Sequence, residues 1–216
     1  MALKIGIVSQ KGGVGKSTLC RLIAREYAVN DWQVKIADMD ISQGTSFSWH
    51  QRRLQNDVKP EISVEQYSRV DRVKRLEDNF DLIIFDGAPH STSITGEIGK
   101  ESDLVILPTG TPLDDLEPTV RLARELKNHN VDPSKIAVVL CRVGDSQREI
   151  DEAADYIKQA GLFLLDGTIP EKTSYKWASD TGRAVTETHY ASLNEKADKV
   201  AQSIVDRIGQ LKNGGV

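Results

Sequence analysis

The run Ser9-Gln10-Lys11-Gly12-Gly13-Val14-Gly15-Lys16-Ser17-Thr18 stands between an apolar segment, Leu3 to Val8, and a segment of helical character, Leu19-Cys20-Arg21-Leu22-Ile23-Ala24. Strand, glycine-rich loop, helix is the order in which a chain builds a cradle for an anion. Glycines at 12, 13 and 15 let the backbone turn tightly and aim its N–H groups inward, and the positive end of the following helix attracts the same anion. At this spacing Lys16 reaches the β and γ phosphates of a nucleotide, and the Ser17 hydroxyl is placed to coordinate Mg²⁺. A plain turn has no use for two lysines and a Ser-Thr pair. A loop of this kind predicts an α/β fold, a doubly wound and mostly parallel sheet with helices on both faces.

The generic phosphate-loop pattern, Gly-x-x-x-x-Gly-Lys-Ser/Thr, asks for glycine at position 10, where this chain has Gln10. What remains, Lys11 to Thr18, resembles the deviant Walker A box of the ParA/MinD superfamily, marked by a lysine directly before the glycine pair. The resemblance implies ATP and Mg²⁺ as cofactors, Gly12, Gly13, Val14, Gly15, Lys16, Ser17 and Thr18 around the nucleotide, and catalytic roles for Lys11 and Lys16.

A chain of 216 residues with 39% apolar content buries a full core, which predicts one domain over residues 1–216. Lys and Arg number 28 against 32 Asp and Glu, a net charge of -4 that excludes a global basic field, so any DNA contact must come from a local patch. Cys20 and Cys141 lie far apart in apolar surroundings, as packing residues of a reducing compartment do. No apolar run approaches the ~18 residues of a membrane span, and Lys4 leads into a strand without a signal-peptide core. The expectation is a cytoplasmic protein with no membrane partner and no DNA-reading domain ahead of its first strand.

Further along, Gln33 to Ala37 reads as a strand ending in Asp38-Met39-Asp40, two carboxylates aimed at the crevice where α/β ligands sit. They either serve chemistry there or cap the helix beginning near Thr45. A polar helix ends near Asn56, Glu61 to Tyr67 alternates as a strand, and Val70, Val73 and Leu76 mark a short helix. Arg69, Arg72, Lys74 and Arg75 on it form a solvated face or a partner surface. Asp81 to Asp86 is an apolar strand closing on an acid that holds a water of the Mg²⁺ shell. The fifth strand is Asp103 to Leu107, followed by a rigid loop, Pro108 to Asp114, and a helix from Leu116 to about Asn128. Lys135 to Val143 and Phe163 to Leu165 are the sixth and seventh strands. The tail, Ser192 to Leu211, sets Val200, Ile204, Val205, Ile208 and Leu211 on one stripe. Its mixed charges and lack of an aromatic wedge favour core packing over a membrane surface.

In the ParA resemblance, Asp38 to Asp40 is the first switch segment: Asp40 activates the attacking water and Asp38 lies near the metal with Ser17 and Asp86. Family members continue Asp-Pro-Gln, where Ile41-Ser42-Gln43-Gly44 stands here with one residue inserted. Gly87-Ala88-Pro89-His90 resembles the second switch, with His90 read as a surface histidine. The adenine of relatives lies between the last two strand ends, which makes Arg142 and the Ile169-Pro170 segment adenine-side candidates. Arg142 is otherwise a surface ion pair. All these segments follow the carboxyl ends of strands, which an open parallel sheet gathers on one rim.

The whole is similar to the small ParA (ParF-like) branch. That implies an ATPase partitioning plasmid or other replicon DNA through an ATP-bound homodimer that binds DNA nonspecifically and associates with the nucleoid. Lys11 would reach the partner's phosphates, and a centromere-binding ParB-like protein would stimulate slow hydrolysis. The other readings are a ligase resembling dethiobiotin synthetase, for which no substrate pocket is evident and which leaves Lys11 unexplained, and a MinD-like positioning ATPase.

Overall fold

The computed structural model describes residues 1–89 and 92–214. Its elements are β1 (Leu3–Ile7), α1 (Lys16–Ala28), β2 (Val34–Asp38), α2 (Thr45–Gln55), β3 (Ser63–Gln66), α3 (Val70–Lys74), β4 (Leu82–Asp86), α4 (Thr92–Glu101), β5 (Leu104–Thr109), α5 (Leu113–Asn128), β6 (Ile136–Val143), α6 (Gln147–Gln159), β7 (Phe163–Pro170), α7 (Thr173–Asp180) and α8 (Ala191–Lys212). The seven strands form one all-parallel sheet in the order β3-β2-β4-β1-β5-β6-β7.

Side chains alternate across each strand, so a strand covered on both faces reads as a continuous apolar run. Leu82 and Ile84 of β4, Leu104 and Ile106 of β5, and Ala137 and Val139 of β6 enter the core under α1, α2, α7 and α8. Their neighbours Ile83, Phe85, Val105, Leu107 and Val138 enter a second core under α3, α4, α5 and α6. This is the doubly wound sheet that the glycine loop predicts. The loop leaves β1, the central strand, where the connections reverse direction and a crevice opens beyond the strand ends.

Several boundaries differ from the sequence reading. β5 continues through Pro108 to Thr109, so the rigid loop shrinks to Gly110, Thr111 and Pro112. A proline is tolerated there because β1 pairs with β5 only as far as Ile106, and from Leu107 onward β6 is the one neighbour. α5 starts at Leu113, three residues early, which puts Pro118 inside the helix. β7 extends to Pro170, and α4, α6 and α7 are additions to the sequence reading. On α8, Val200, Ile204 and Ile208 are buried as the stripe requires, whereas Val205 turns outward at 43% exposure. The helix packs on β7 and α1, and no helix among the described residues is long and apolar enough to cross a membrane. Cys20 and Cys141 are free and buried. His90 lies outside the described residues.

Candidate functional site

The glycine loop closes over the ends of β1 and β6. Gly13 and Gly15 hold φ of 75° and 108°, the left-handed region where a side chain is strained. Gly15 packs against Cys141, whose thiol burial pushes up to about 12. Val14 is buried and anchors the loop. Gly12, by contrast, faces open space, which leaves room for a ligand along the loop. Lys16, at the first turn of α1, is 8% exposed and its Nζ donates to the Lys11 carbonyl at 3.0 Å. Burial lowers its pKa, against the attraction of Asp86 and Asp40.

A cleft of about 320 Å³ opens above this loop, and Gly12, Gly13, Gly15, Lys16, Ser17 and Thr18 line it together with Asp38, Asp40 and Asp86. The sequence candidates for phosphate and metal thus converge on one space. Strand-end hydrogen bonds hold them in register: Gly87 N–H to Ile7 O at 2.9 Å, Met39 N–H to Asp86 O at 2.9 Å and Val8 N–H to Ile106 O at 3.2 Å.

The two acids at the carboxyl end of β2, Asp38 and Asp40, divide the alternatives between them. Asp38 Oδ2 accepts the N–H groups of Ser46 (2.9 Å) and Phe47 (3.0 Å), so it caps α2, whose own N-cap, Gly44, has no side chain to do so. Asp40 caps no helix. Its Oδ1 accepts Ser42 Oγ at 2.7 Å and Gln43 N–H at 3.0 Å, which gives the departing residues Ser42 and Gln43 a function in holding that carboxylate at the cleft.

Asp38 is also buried beside Asp86, and burial and that neighbouring charge push its carboxyl up to about 6. Two carboxylates so placed favour a divalent cation, and with the Ser17 hydroxyl in the same cleft the residues fit Mg²⁺. A raised acid pKa means the folded chain binds the proton more tightly than the unfolded one. This group therefore favours folding below about 4 and loses that contribution as the pH rises through about 6. Asp38→Asn keeps the cap through its amide oxygen and removes the charge, but it gives up the Asp40 N–H bond that the other carboxylate oxygen accepts. Without metal or nucleotide it should gain on wild type by on the order of 2–3 kcal/mol between pH 4 and pH 7.5, and the lost hydrogen bond lowers the gap by about 1 kcal/mol at every pH. Calorimetry in chelator tests this, and a gap that ignores pH would refute it.

The cleft continues past Arg142 into a second hollow of about 320 Å³ with an apolar wall of Ile169, Pro170, Tyr175 and Val185. Thr18, Arg21, Arg142 and Ser179 border both parts. Arg142 sits at a break in the β6–β7 register with φ of 56°, and its guanidinium donates to Gly13 O at 2.7 Å and pairs with Glu171 at 3.2 Å. It is thus both the surface ion pair and a clamp on the glycine loop. Pro170 lies beside it, as the sequence reading expects.

Two residues at the site escape that reading. Ser46 Oγ donates to Asp86 Oδ2 at 2.6 Å in full burial, tying α2 to the end of β4. Arg21 is 4% exposed, donates to Thr45 O (2.7 Å) and Ser179 Oγ (2.8 Å), lies over the Trp49 ring and leaves its Nε without a partner among the described residues. Burial lowers its pKa to about 10. A charge among Leu19, Cys20, Leu22, Ile23 and Ala24, all buried, is the signal that points to it.

Parallel strand, glycine loop, buried lysine and a carboxylate pair at the neighbouring strand ends together define a P-loop nucleotide-binding site. The family model of the CobQ/CobB/MinD/ParA nucleotide binding domain matches residues 5–185, and the chain belongs to that family. No curated protein sequence matches the chain. Among solved structures it is similar to MinD of Pyrococcus horikoshii complexed with Mg-ADP (18% identity, TM-score 0.76, covering 98% of this chain and 99% of that one). It is also similar to apo McdA of Cyanothece (17%, 0.76, 94% and 100%). A third is a plasmid partition protein of Borrelia burgdorferi bound to AMPPNP (15%, 0.71, 96% and 100%). At these identities the likeness is one of fold.

Proposed function

We propose that residues 1–216 act as a ParA-type ATPase domain that partitions replicon DNA. ATP binds in the cleft, with Gly12 to Thr18 around its phosphates, Arg142 and Pro170 on the adenine side, and Ser17, Asp38 and Asp86 around Mg²⁺. When bound, the ion neutralises charge on the β and γ phosphates. Two ATP-bound copies face each other, and the dimer binds DNA nonspecifically until hydrolysis, stimulated by a ParB-like partner, releases it. A family of nucleotide-binding domains and neighbours carrying Mg-ADP and AMPPNP support the ATPase part.

The observation that carries the reading is the second lysine. Lys16 faces the cleft, whereas Lys11, one residue before the glycine pair, is not among the residues that line it. A cation at the mouth, outside its own cleft, can serve a partner's phosphates once it leaves its contacts in its own chain, and there it would stabilise the transferring phosphoryl group in trans.

Lys11→Ala should therefore retain ATP binding in the monomer and lose dimerisation, hydrolysis and DNA binding together. Sedimentation velocity with a non-hydrolysed ATP analogue, and gel shifts with nonspecific duplex across a salt series, make the test. Wild-type DNA binding should require ATP and fall steeply with salt as phosphate contacts release counterions. A normal dimer fraction for the variant would sink the trans role. DNA binding that ignores nucleotide, or none at low salt, would favour the ligase reading.

A further inference from the structure

Lys11 is held by α5 of its own chain. Its Nζ donates to Asp115 Oδ1 at 2.6 Å and to the Asp114 carbonyl at 2.7 Å, both in the first turn of that helix. The sequence builds each acceptor. In a regular helix the carbonyl of residue 114 takes the N–H of residue 118, but Pro118 has none, so Asp114 O is left for an outside donor. The Asp115 carboxylate packs over Gly110, where a side chain would collide with it. Thr119 Oγ1 fixes the same turn by donating to Asp115 O at 2.8 Å. Gln10 Nε2 ties the loop to the other end of α5 through Glu125 at 2.7 Å.

A lysine does not settle at the positive end of a helix without compensation. Here the compensation is one carboxylate and one freed carbonyl, and the pair stays partly open to solvent, Lys11 at 39% and Asp115 at 24% exposure. It is thus a contact that a stronger anion displaces.

We propose that Asp115, together with the Asp114 carbonyl that Pro118 frees, is a positioning residue that withholds Lys11 in cis, so that a second ATP-bound copy must draw the lysine off α5 to complete the site. The inference rests on the trans role of Lys11 above. Each dimer releases two such contacts, so dimerisation carries the latch twice. A partly exposed ion pair biases an equilibrium by roughly threefold, and two by about tenfold.

Two variants test it. Asp115→Asn removes the charge at constant size. Pro118→Ala restores the missing N–H to Asp114 O and strengthens the helix, so unfolding is not an outcome to fear from it. Sedimentation with a non-hydrolysed ATP analogue should show both variants dimerising more tightly, about tenfold for Asp115→Asn, while monomer affinity for a fluorescent ATP analogue stays at the wild-type value. Lys11→Ala/Asp115→Asn should stay as monomeric as Lys11→Ala across the concentration series, and dimer recovered in the double variant would show that Asp115→Asn acts through the helix and not through the lysine, which would overturn the latch. Wild-type or weaker dimerisation in both variants, with Lys11→Ala monomeric, would overturn the latch and leave the trans role standing. A normal dimer in Lys11→Ala would overturn both.

Discussion

Lys16→Ala should weaken ATP binding at least a hundredfold while the chain stays folded. The loop's glycines and amides survive the substitution, so the cradle keeps its shape and its dipoles. What disappears is the ammonium that the glycine loop wraps at the head of α1, 8% exposed and drawn towards Asp86 and Asp40. A hydrogen bond to a charged partner is worth about 1.5–3 kcal/mol, and this ammonium is placed to make two, to β and γ oxygens; the loss of roughly 3 kcal/mol or more is a factor of a hundred or more in affinity. The substitution also leaves three carboxylates, Asp38, Asp40 and Asp86, around the space a polyanion must enter. Lys16 Nζ is bonded within the protein to the Lys11 carbonyl of the glycine loop, so its removal costs the fold little. Titration with a fluorescent ATP analogue measures the effect and circular dichroism checks the fold. Unchanged affinity would remove the phosphate-loop assignment.

The sheet was legible above all through β4, β5 and β6, which are covered on both faces and read as near-continuous apolar runs, with Asp86 directly after Leu82 to Phe85. Two of the helices missing from the sequence reading, α4 and α7, have a signal that is weak for a physical reason. α4 carries Gly96 and Gly99, poor helix formers, and the fold demands at least the second: a Cβ at Gly99 would lie 2.8 Å from Val131 and 2.9 Å from Leu126. α7 buries only two residues fully, Tyr175 and Ala178, too narrow a stripe to stand out, whereas α6 has a legible start in Ser146-x-x-Glu149, where Ser146 Oγ accepts the Glu149 N–H, and an apolar face of Ile150, Ala153 and Ile157 that the sequence reading passed over.

At the site, the glycine loop and the acids could be placed from spacing alone, whereas Ser46 and Arg21 act through contacts that spacing does not encode. The start of α5 shows how a small boundary error hides chemistry. Begun at Leu116, the helix has Pro118 in its first turn, where its missing N–H is harmless. Begun at Leu113, the same proline strips Asp114 of its partner and supplies Lys11 with an acceptor 103 residues away in sequence.

Asp40→Ala should bind ATP and dimerise yet turn over some 10²- to 10⁴-fold more slowly, the scale of a lost positioned acid or base. Asp38 is engaged at both oxygens, accepting the Asp40 N–H on one and two α2 amides on the other, and serves the fold first. Asp40 is engaged at Oδ1 alone among the described contacts, by Ser42 and Gln43, and it lines the cleft. An acid gripped by one oxygen is oriented, and its second oxygen meets no donor among the described residues that a water would have to displace. Alanine also loosens the turn over 41–44, so Asp40→Asn separates the two effects: its amide oxygen keeps both turn bonds, and only the basicity is gone. Ser42→Ala does the reverse, keeping the carboxylate and releasing one of its holds, and should slow turnover by a few-fold. Phosphate release at saturating ATP, with sedimentation velocity and circular dichroism on each variant, orders them. The expected rates run wild type, Ser42→Ala, then Asp40→Asn and Asp40→Ala together. Turnover in Asp40→Asn equal to wild type would show that Asp40 shapes the turn and nothing more, and the water-positioning role would pass to another group in the cleft.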